Sequence, residues 1–179
     1  MAQPPTLRRF SITVADSDRG VYETLDLRVA QHPSESDRYC VARVIARVLE
    51  HREGVEFSKG GVSTGDEPAL LERNMQGDIV AWIEVGSPSV DRLHKASKTG
   101  ARVVLYGWKG IEALAGELVG AVYKAEQLEL YNFEYTFLDA VAATLDRKND
   151  WSLAISGGAL YLEIAGKLHE GAVQRMPVG

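Results

Sequence analysis

Residues 78–86 read Asp-Ile-Val-Ala-Trp-Ile-Glu-Val-Gly, and this stretch decides the fold of the chain. Apolar side chains fall on both alternating faces from Ile79 to Val85, a pattern typical of a strand that is covered on both sides. The pattern predicts a central strand at 78–85. One acidic side chain, Glu84, lies near the carboxyl end of that strand.

The segments that follow alternate between helical and strand patterns. In order they are a helix at 89–98, a strand at 101–106, a helix at 111–122, a strand at 128–133 and a helix at 135–145. Such alternation predicts an α/β sheet with parallel crossovers.

Both ends of the chain predict β-hairpins, because alternating segments flank clusters of turn residues. The N-terminal hairpin has strands at 10–14 and 21–29 around the turn at 16–20. The C-terminal strands are expected at 151–155, 160–164 and 167–175, with a turn at Gly157-Gly158. The prediction is therefore a mixed β-sheet flanked by helices, in a single domain over residues 1–179.

One long helix and two short elements are predicted before the central strand. Pro33-Ser34-Glu35 opens the helix with Ser34 as its N-cap, the apolar stripe at 41–48 has helical spacing, and Gly54 stops it. A short strand is expected at 55–58. Pro68 favours a short helix over 69–73, because proline suits a first helical turn.

Composition places the chain among ordinary globular proteins. With 179 residues, 45% of them hydrophobic, it can bury a core without disulfides, and its one cysteine, Cys40, cannot form an internal bridge. We expect a reducing cytoplasm, no membrane segment and a monomer. The formal net charge of −5 argues against nonspecific coating of nucleic acid, but a nuclease needs only a local basic rim.

Glu84 is the first candidate site residue. A carboxylate that is desolvated without a partner costs several kcal/mol, so it must be paired, protonated or bound to a cation. One interpretation is a structural arginine beside Glu84. The other is a functional site at the end of the strand.

The remaining candidates each have an ordinary structural explanation. Glu35 in a first helical turn stabilises the helix dipole, Asp66 and Glu67 form an acidic loop, and lysines 95 and 98 form a solvated helix face. The four histidines have no zinc-site spacing, and neither a nucleophile elbow nor a phosphate loop is present.

Taken together, these motifs resemble the bacterial YaeQ family. The motifs are Ala15-Asp16 with Asp18-Arg19, His32-Pro33-Ser34-Glu35, Arg43, Asp66-Glu67-Pro68, Trp82-Ile83-Glu84-Val85-Gly86 and Arg92-Leu93. The likeness spans nearly the whole chain and is looser toward the C-terminus.

The resemblance implies a restriction-endonuclease-like core of the PD-(D/E)XK type, in which acidic residues bind a divalent metal, Mg²⁺ or Mn²⁺. Glu35 would match the acidic residue of the helix and Glu84 the glutamate of the E-x-K motif. The chain departs from that motif, since Gly86 stands where the lysine belongs. Lys95, with Lys98 in reserve, is the candidate that would supply the missing charge.

Three acidic residues compete to complete the site. Asp78 and Glu84 stand roughly 20 Å apart along a straight strand, too far to share one ion. Asp66 or Glu67 arrives from a separate segment, and we select Asp66. The predicted metal ligands are Glu35, Asp66 and Glu84.

Two functions follow from these residues. The first is a divalent-metal-dependent phosphodiesterase that acts on nucleic acid. The second is a non-catalytic binding or regulatory module that reuses the nuclease fold, with nucleic acid or a protein as its partner.

Overall fold

A computed structural model describes residues 3–59 and 67–178. Over those residues the chain is mixed α/β, with ten strands and four α-helices. The strands are β1 (Thr6–Asp16), β2 (Val21–Gln31), β3 (Val55–Phe57), β4 (Leu70–Arg73), β5 (Ile79–Val85), β6 (Arg102–Gly107), β7 (Glu129–Phe133), β8 (Lys148–Ser156), β9 (Ala159–Ile164) and β10 (Lys167–Met176). The helices are α1 (Asp37–Leu49), α2 (Val90–Ser97), α3 (Ile111–Leu118) and α4 (Tyr135–Ala142). None of these helices is long and apolar enough to cross a membrane.

The chain divides into two compact units. The first unit comprises the residues up to Val41 together with Phe133–Val173. The second comprises Ala42–Asn132 together with the residues from Gln174 onward. The expectation of a single domain over 1–179 stays a prediction.

The first unit is built on the two predicted hairpins, and both are confirmed. Its strands pair in the order β2, β1, β8, β9, β10, with β1 and β8 parallel and the other neighbours antiparallel. Alternate side chains of β1, β2 and β8 are buried. Phe10 and Trp151 meet edge to face in this core, with ring centroids 4.9 Å apart. Helix α4 approaches β10 so closely that a Cβ at Gly171 would lie 2.4 Å from the Phe137 ring.

Asp18 links the turns of the two hairpins within the first unit. Its carboxylate accepts hydrogen bonds from the backbone N–H groups of Gly157 at 2.7 Å and Gly158 at 3.1 Å. Because these bonds favour the charged form, they lower the pKa of Asp18. The neighbouring Asp16 accepts the N–H groups of Asp18 and Arg19. The motif at 15–19 therefore has a structural role in these turns.

The second unit contains the predicted α/β alternation. Its strands pair in the order β7, β6, β5, β4, β3, and β5, β6 and β7 run parallel. The prediction that 78–85 forms a central strand is confirmed, because β5 lies between β4 and β6. Helices α2 and α3 contribute Leu93, Ala96 and Leu118 to a buried cluster that includes Leu105 and Leu130 of the sheet.

The predicted short helix over 69–73 is wrong. Residues Leu70–Arg73 form strand β4, which pairs antiparallel with β3 and with β5. Leu70 and Leu71 are both buried, and they lie opposite Ile83 and Trp82. Pairing with β3 and β5 thus overrides the local helix signal of Pro68.

The first helix begins later than predicted, at Asp37. Ser36 caps it, since the Ser36 hydroxyl accepts the N–H of Tyr39 at 3.1 Å. The predicted cap, Ser34, instead contacts the Nδ1 of His32 at 2.6 Å. The Glu35 N–H donates to the His32 carbonyl, so residues 32–35 form a turn before the helix. Ser34 is therefore not the N-cap.

Helices α3 and α4 are shorter than their apolar patterns predict. Helix α3 ends at Leu118 because Val119 has an extended backbone and Gly120 has a φ of +79°. Helix α4 ends at Ala142, ahead of the predicted end at 145. Beyond α3, Val122 is still buried outside the helix, whereas Val119 is exposed. Beyond α4, Ala143 is exposed and Leu145 is half-buried.

Candidate functional site

Glu84 lies in β5 on the same face as Trp82, and its exposed fraction is 5%. The face is covered because Trp82 packs against the cluster that α2 and α3 form on the sheet. Glu84 pairs in register with Leu105 of the parallel strand β6. The carboxylate is thus held in the interior of the second unit, as the sequence pattern predicted.

Two donors satisfy one oxygen of the Glu84 carboxylate. Its Oε1 accepts a hydrogen bond from Arg92 Nε at 2.7 Å and another from Trp82 Nε1 at 2.8 Å. Arg92 also donates to the backbone carbonyl of Glu67. A charge-assisted bond of this length in a buried setting fixes both side chains. The structural arginine that we considered beside Glu84 is therefore present, and it is Arg92.

Helix α2 brings Arg92 to this position. Ser89 caps the helix, because its hydroxyl accepts the N–H of Arg92 at 3.1 Å. Leu93 and Ala96 form the buried stripe of α2, which docks the helix against the sheet. The cap and the stripe together orient Arg92 toward the end of β5.

A cavity of about 400 Å³, here called the Trp82 cavity, lies beside this pair. Its lining combines an indole, two cations, one carboxylate and two hydroxyls, from Trp82, Ser89, Asp91, Arg92, Lys95, Ala96 and Thr99. Cations and hydroxyls bind phosphate, and indoles stack on planar rings. The lining has the chemistry of a site for a phosphate-bearing ligand with an aromatic base.

The two candidate lysines line different cavities. Lys95 lines the Trp82 cavity, and its ammonium lies 3.2 Å from the Asp91 carboxylate. Both side chains of that pair are more than 70% exposed, at 77% and 72%, so their attraction is weak. Lys98 instead lines a second cavity, together with Tyr123 and Lys124. Of the two lysines, Lys95 is the one beside Trp82 and Arg92.

Glu35 lies in the turn before α1 with an exposed fraction of 7%. Its backbone carbonyl accepts the side-chain amide of Gln31 at 3.0 Å, and its Oε1 accepts the N–H of His32 at 3.4 Å. Glu35 belongs to the first unit and Glu84 to the second. The convergence of these two carboxylates stays a prediction.

The candidates for a third acid have different positions. Asp66 lies outside the described residues. Glu67 meets Arg92 through its backbone carbonyl. Asp78 is exposed in the turn before β5, where Asn74 binds its backbone. Within residues 3–59 and 67–178, no group of three or more His, Cys, Asp or Glu side chains has the geometry of a metal site.

In this conformation Arg92 occupies Oε1 of Glu84, which disfavours a divalent cation at that oxygen. An arginine cannot lose its proton, so its positive charge stays at 2.7 Å from Oε1 and repels a second cation there. Gly86 has a φ of +100°, a conformation in which a lysine would be strained. The position of the missing E-x-K lysine is thus built for glycine.

Sequence reasoning missed a second ionic cluster in the second unit. Arg102 donates to Glu129 at 2.5 Å and to Glu50 at 2.6 Å, and Glu50 also accepts the Tyr106 hydroxyl at 2.7 Å. Tyr106 stacks on Tyr131 with ring centroids 4.9 Å apart. The partners come from distant segments, and no local pattern connects them.

Burial and pairing shift the pKa values of this cluster in opposite directions. Burial alone would lower the pKa of Arg102, but hydrogen bonds to Glu129 and Glu50 outweigh it and raise that pKa. Burial would raise the pKa of Glu129, yet the bond from Arg102 lowers it overall. Burial and the charge of Glu50 raise the pKa of Tyr106. These shifts keep Arg102 and Glu129 charged at neutral pH, so the two form a structural ion pair.

Known proteins match this sequence over almost the whole chain. The sequence model of the family described as "YaeQ protein" matches residues 1–172. "Uncharacterized protein YaeQ" of Escherichia coli (strain K12) is 28% identical over 167 residues, 90% of each chain. Its counterpart in Salmonella typhi is 28% identical over 170 residues, 92% of each chain.

Two solved structures are also similar to this chain. The crystal structure of YaeQ protein from Pseudomonas syringae has a TM-score of 0.88 and 30% identity, and the match covers 98% of this chain and 97% of the other. YaeQ protein from Xanthomonas axonopodis pv. citri has a TM-score of 0.87 and 28% identity, with 98% and 99% covered. On these matches in sequence and structure, the chain belongs to the YaeQ family.

Proposed function

We propose that this chain is a non-catalytic module that binds nucleic acid through the Trp82 cavity. One observation carries the proposal: Arg92 is fixed to Glu84 by a 2.7 Å ion pair while it also lines the cavity. In this arrangement Glu84 anchors an arginine and an indole that face a ligand. The carboxylate supports the site and does not itself bind the ligand.

Because Trp82 and Arg92 are anchored, the entropic cost of binding a ligand is lower. Trp82 and Arg92 both donate to the same oxygen of Glu84, so both side chains are held before a ligand arrives. A preorganised site loses less side-chain entropy when it binds. An indole offers a stacking surface to any nucleic-acid base, and a guanidinium suits phosphate.

Lys95 adds an exposed cation to the lining of the same cavity. Its ion pair with Asp91 is exposed, and such pairs contribute about 0–1 kcal/mol, so a phosphate can replace the carboxylate at little cost. Each phosphate contact also releases a counterion from the nucleic acid. Lys95 is therefore the contact whose loss should be visible as a change in salt dependence.

The test is binding of a fluorescein-labelled single-stranded oligonucleotide, followed by anisotropy at several salt concentrations. We expect Lys95→Ala to weaken binding by about fivefold at low salt and to reduce the slope of log K against log salt by about 0.7, the loss of one phosphate contact. Lys98→Ala is the matched control, because it removes the same charge from the end of the same helix but lines the second cavity.

Two results would contradict this proposal. One is that the unaltered chain binds no oligonucleotide at low salt. The other is that Lys95→Ala and Lys98→Ala bind with equal affinity.

A metal-dependent phosphodiesterase with a restriction-endonuclease-like core is the second candidate function. One observation favours it: a lysine, Lys95, does line the cavity beside the Glu84–Arg92 pair although position 86 is glycine. Glu35, Asp66 and Glu84 would hold Mg²⁺ or Mn²⁺ in that case, and Lys95 would face the phosphate. This candidate requires Arg92 to leave Glu84, so a direct search for a metal ion at Glu84 separates the two functions.

A further inference from the structure

Three cations form a row across the outer face of the first unit. Arg28 of β2 lies opposite Arg9 of β1, and Arg9 lies beside Lys148 of β8. All three strands are neighbours, and their alternate side chains from Phe10, Leu27 and Asn149 point into the core, so these three side chains face outward. We call this set, Arg28, Arg9 and Lys148, the basic row.

The basic row has no evident role in folding. Neighbouring strands lie about 4.8 Å apart, and like charges directly opposite each other destabilise a sheet. Arg9 has one ion pair, with Asp26 at 3.5 Å, and both of its members are more than half exposed. Over the described part of the chain, Arg28 and Lys148 form no ion pair. An unfavourable arrangement on an exposed face points to a ligand of opposite charge.

A groove of about 430 Å³ runs beside the basic row and adds further positive charge. Its lining includes all three members of the row, the exposed Leu7, and two more arginines, Arg8 and Arg147. Arg8 is fixed there, because its guanidinium donates to the Gln31 side chain at 2.6 Å and to the Asp146 carbonyl at 2.7 Å. Five cationic residues thus line the groove in a chain whose net charge is −5, and one of them, Arg8, also lies 3.9 Å from the Asp37 carboxylate.

The basic row is narrow in the direction of the strands. The next outward-facing row, Asp26, Ser11 and Asp150, is displaced by two residues, roughly 6.6 Å of backbone along the strands, and the Asp26 carboxylate reaches Arg9 at 3.5 Å. A flat anionic membrane would press against these carboxylates as well as against the basic row. A linear polyanion can lie along the basic row and avoid these carboxylates.

We infer that the basic row is a docking surface for the phosphodiester backbone of a nucleic acid. Two of its three cations are arginines, whose planar guanidinium donates two parallel bonds to a phosphate. The row contacts backbone and no base, so it contributes affinity without sequence preference. The inference rests on residues of the first unit and does not depend on the proposed function of the Trp82 cavity.

The experiment compares two triple variants of the full chain by anisotropy with labelled single-stranded and duplex oligonucleotides. In the first variant, Arg9→Gln, Arg28→Gln and Lys148→Gln are combined. We expect it to lose about tenfold or more in affinity at low salt, with a slope of log K against log salt that is smaller by about 2, since three phosphate contacts disappear. The control combines Lys98→Gln, Lys109→Gln and Lys167→Gln, which remove the same charge elsewhere, and its affinity should change less than about threefold.

Thermal melting by circular dichroism shows whether the first variant is intact. Because the row is repulsive, that variant should melt at the same temperature as the unaltered chain or higher. A double variant, Asp26→Asn with Asp150→Asn, should bind oligonucleotide more tightly than the unaltered chain, since it removes the carboxylates that border the basic row.

Three outcomes would overturn the inference. The first is equal oligonucleotide affinity for the basic-row variant and the control variant. The second is a large fall in the melting temperature of the basic-row variant, which would make the row structural. The third is unchanged oligonucleotide binding with a loss of binding to phosphatidylserine vesicles or to poly-glutamate, which would assign the row to a membrane or to an acidic protein. Since Lys95→Ala is measured separately, either proposal can fail while the other stands.

Discussion

Replacing Arg92 with methionine is expected to lower the free energy of unfolding by about 3–5 kcal/mol. The substitution leaves the Glu84 carboxylate, which is 5% exposed, with the Trp82 indole N–H as its remaining donor at Oε1. A buried carboxylate without its cation retains its desolvation cost and loses the attraction that offset it. Chemical denaturation with urea, compared with the unaltered chain, measures the change.

The double variant Arg92→Met with Glu84→Met distinguishes a lost ion pair from lost packing. Because it removes both charges, it should recover most of the stability that Arg92→Met loses. Arg38→Met is the matched control, since Arg38 also binds a carboxylate, Asp139, at 2.6 Å, but both side chains are more than a third exposed. We expect that control to cost far less stability than Arg92→Met, because solvent screens the exposed pair. Equal costs for Arg92→Met and Arg38→Met would show that Glu84 does not depend on Arg92.

Replacing Arg102 with methionine is expected to destabilise the fold by a similar amount, about 3–5 kcal/mol. Arg102 is the cation between two carboxylates, and Glu50 is only 4% exposed. Without Arg102 the two acids repel each other, and Glu50 is too buried for water to replace the lost cation fully. Urea denaturation at pH 7 measures the loss.

The pH dependence of stability provides an independent readout for this cluster. Glu129 has a lowered pKa in the folded chain, so its contribution is present above its ordinary value of 4.5 and is lost as pH falls through the folded value. Because that contribution is lost only below about pH 4.5, the variant should lose less stability than the unaltered chain as pH falls below this value. Arg73→Met, which breaks an exposed pair with Glu56 at 3.6 Å, is the control and should change stability by about 1 kcal/mol or less. A loss for Arg102→Met as small as that of the control would contradict the expectation.

Strands and helices could be predicted where the spacing of apolar residues follows one pattern without interruption. The apolar pattern at 78–85 is confirmed as the central strand β5, and the alternation after it gives three parallel strands. The prediction is wrong where strand pairing, and not the local pattern, decides the structure. Leu70–Arg73 is a strand because β3 and β5 flank it, while Pro68 signals a helix locally.

Less of the candidate site than of the fold could be predicted from the sequence. The burial of Glu84 follows from the apolar stretch around it, and that burial requires a partner. Which arginine serves could not be read from the sequence, because Arg92 reaches Glu84 only after α2 folds back on the sheet. Glu50 and Arg102 were missed for the same reason, since Arg102 joins side chains that are 27 and 52 positions away in sequence.

The family resemblance and the local geometry lead to different expectations for the same carboxylate. The resemblance assigns Glu84 to a divalent metal. The geometry pairs it with a guanidinium that also faces the Trp82 cavity, and Gly86 occupies the lysine position with a positive φ. The central claim of our proposal is that this chain uses the buried acid to hold a binding surface in place.

An anomalous-scattering map from crystals soaked in Mn²⁺ tests that claim most directly. Our account predicts that Arg92 Nε stays hydrogen-bonded to Glu84 Oε1 and that no anomalous peak lies at the carboxylate. A Mn²⁺ peak within about 2–2.6 Å of a Glu84 oxygen, with Arg92 displaced, would contradict it and would favour the phosphodiesterase.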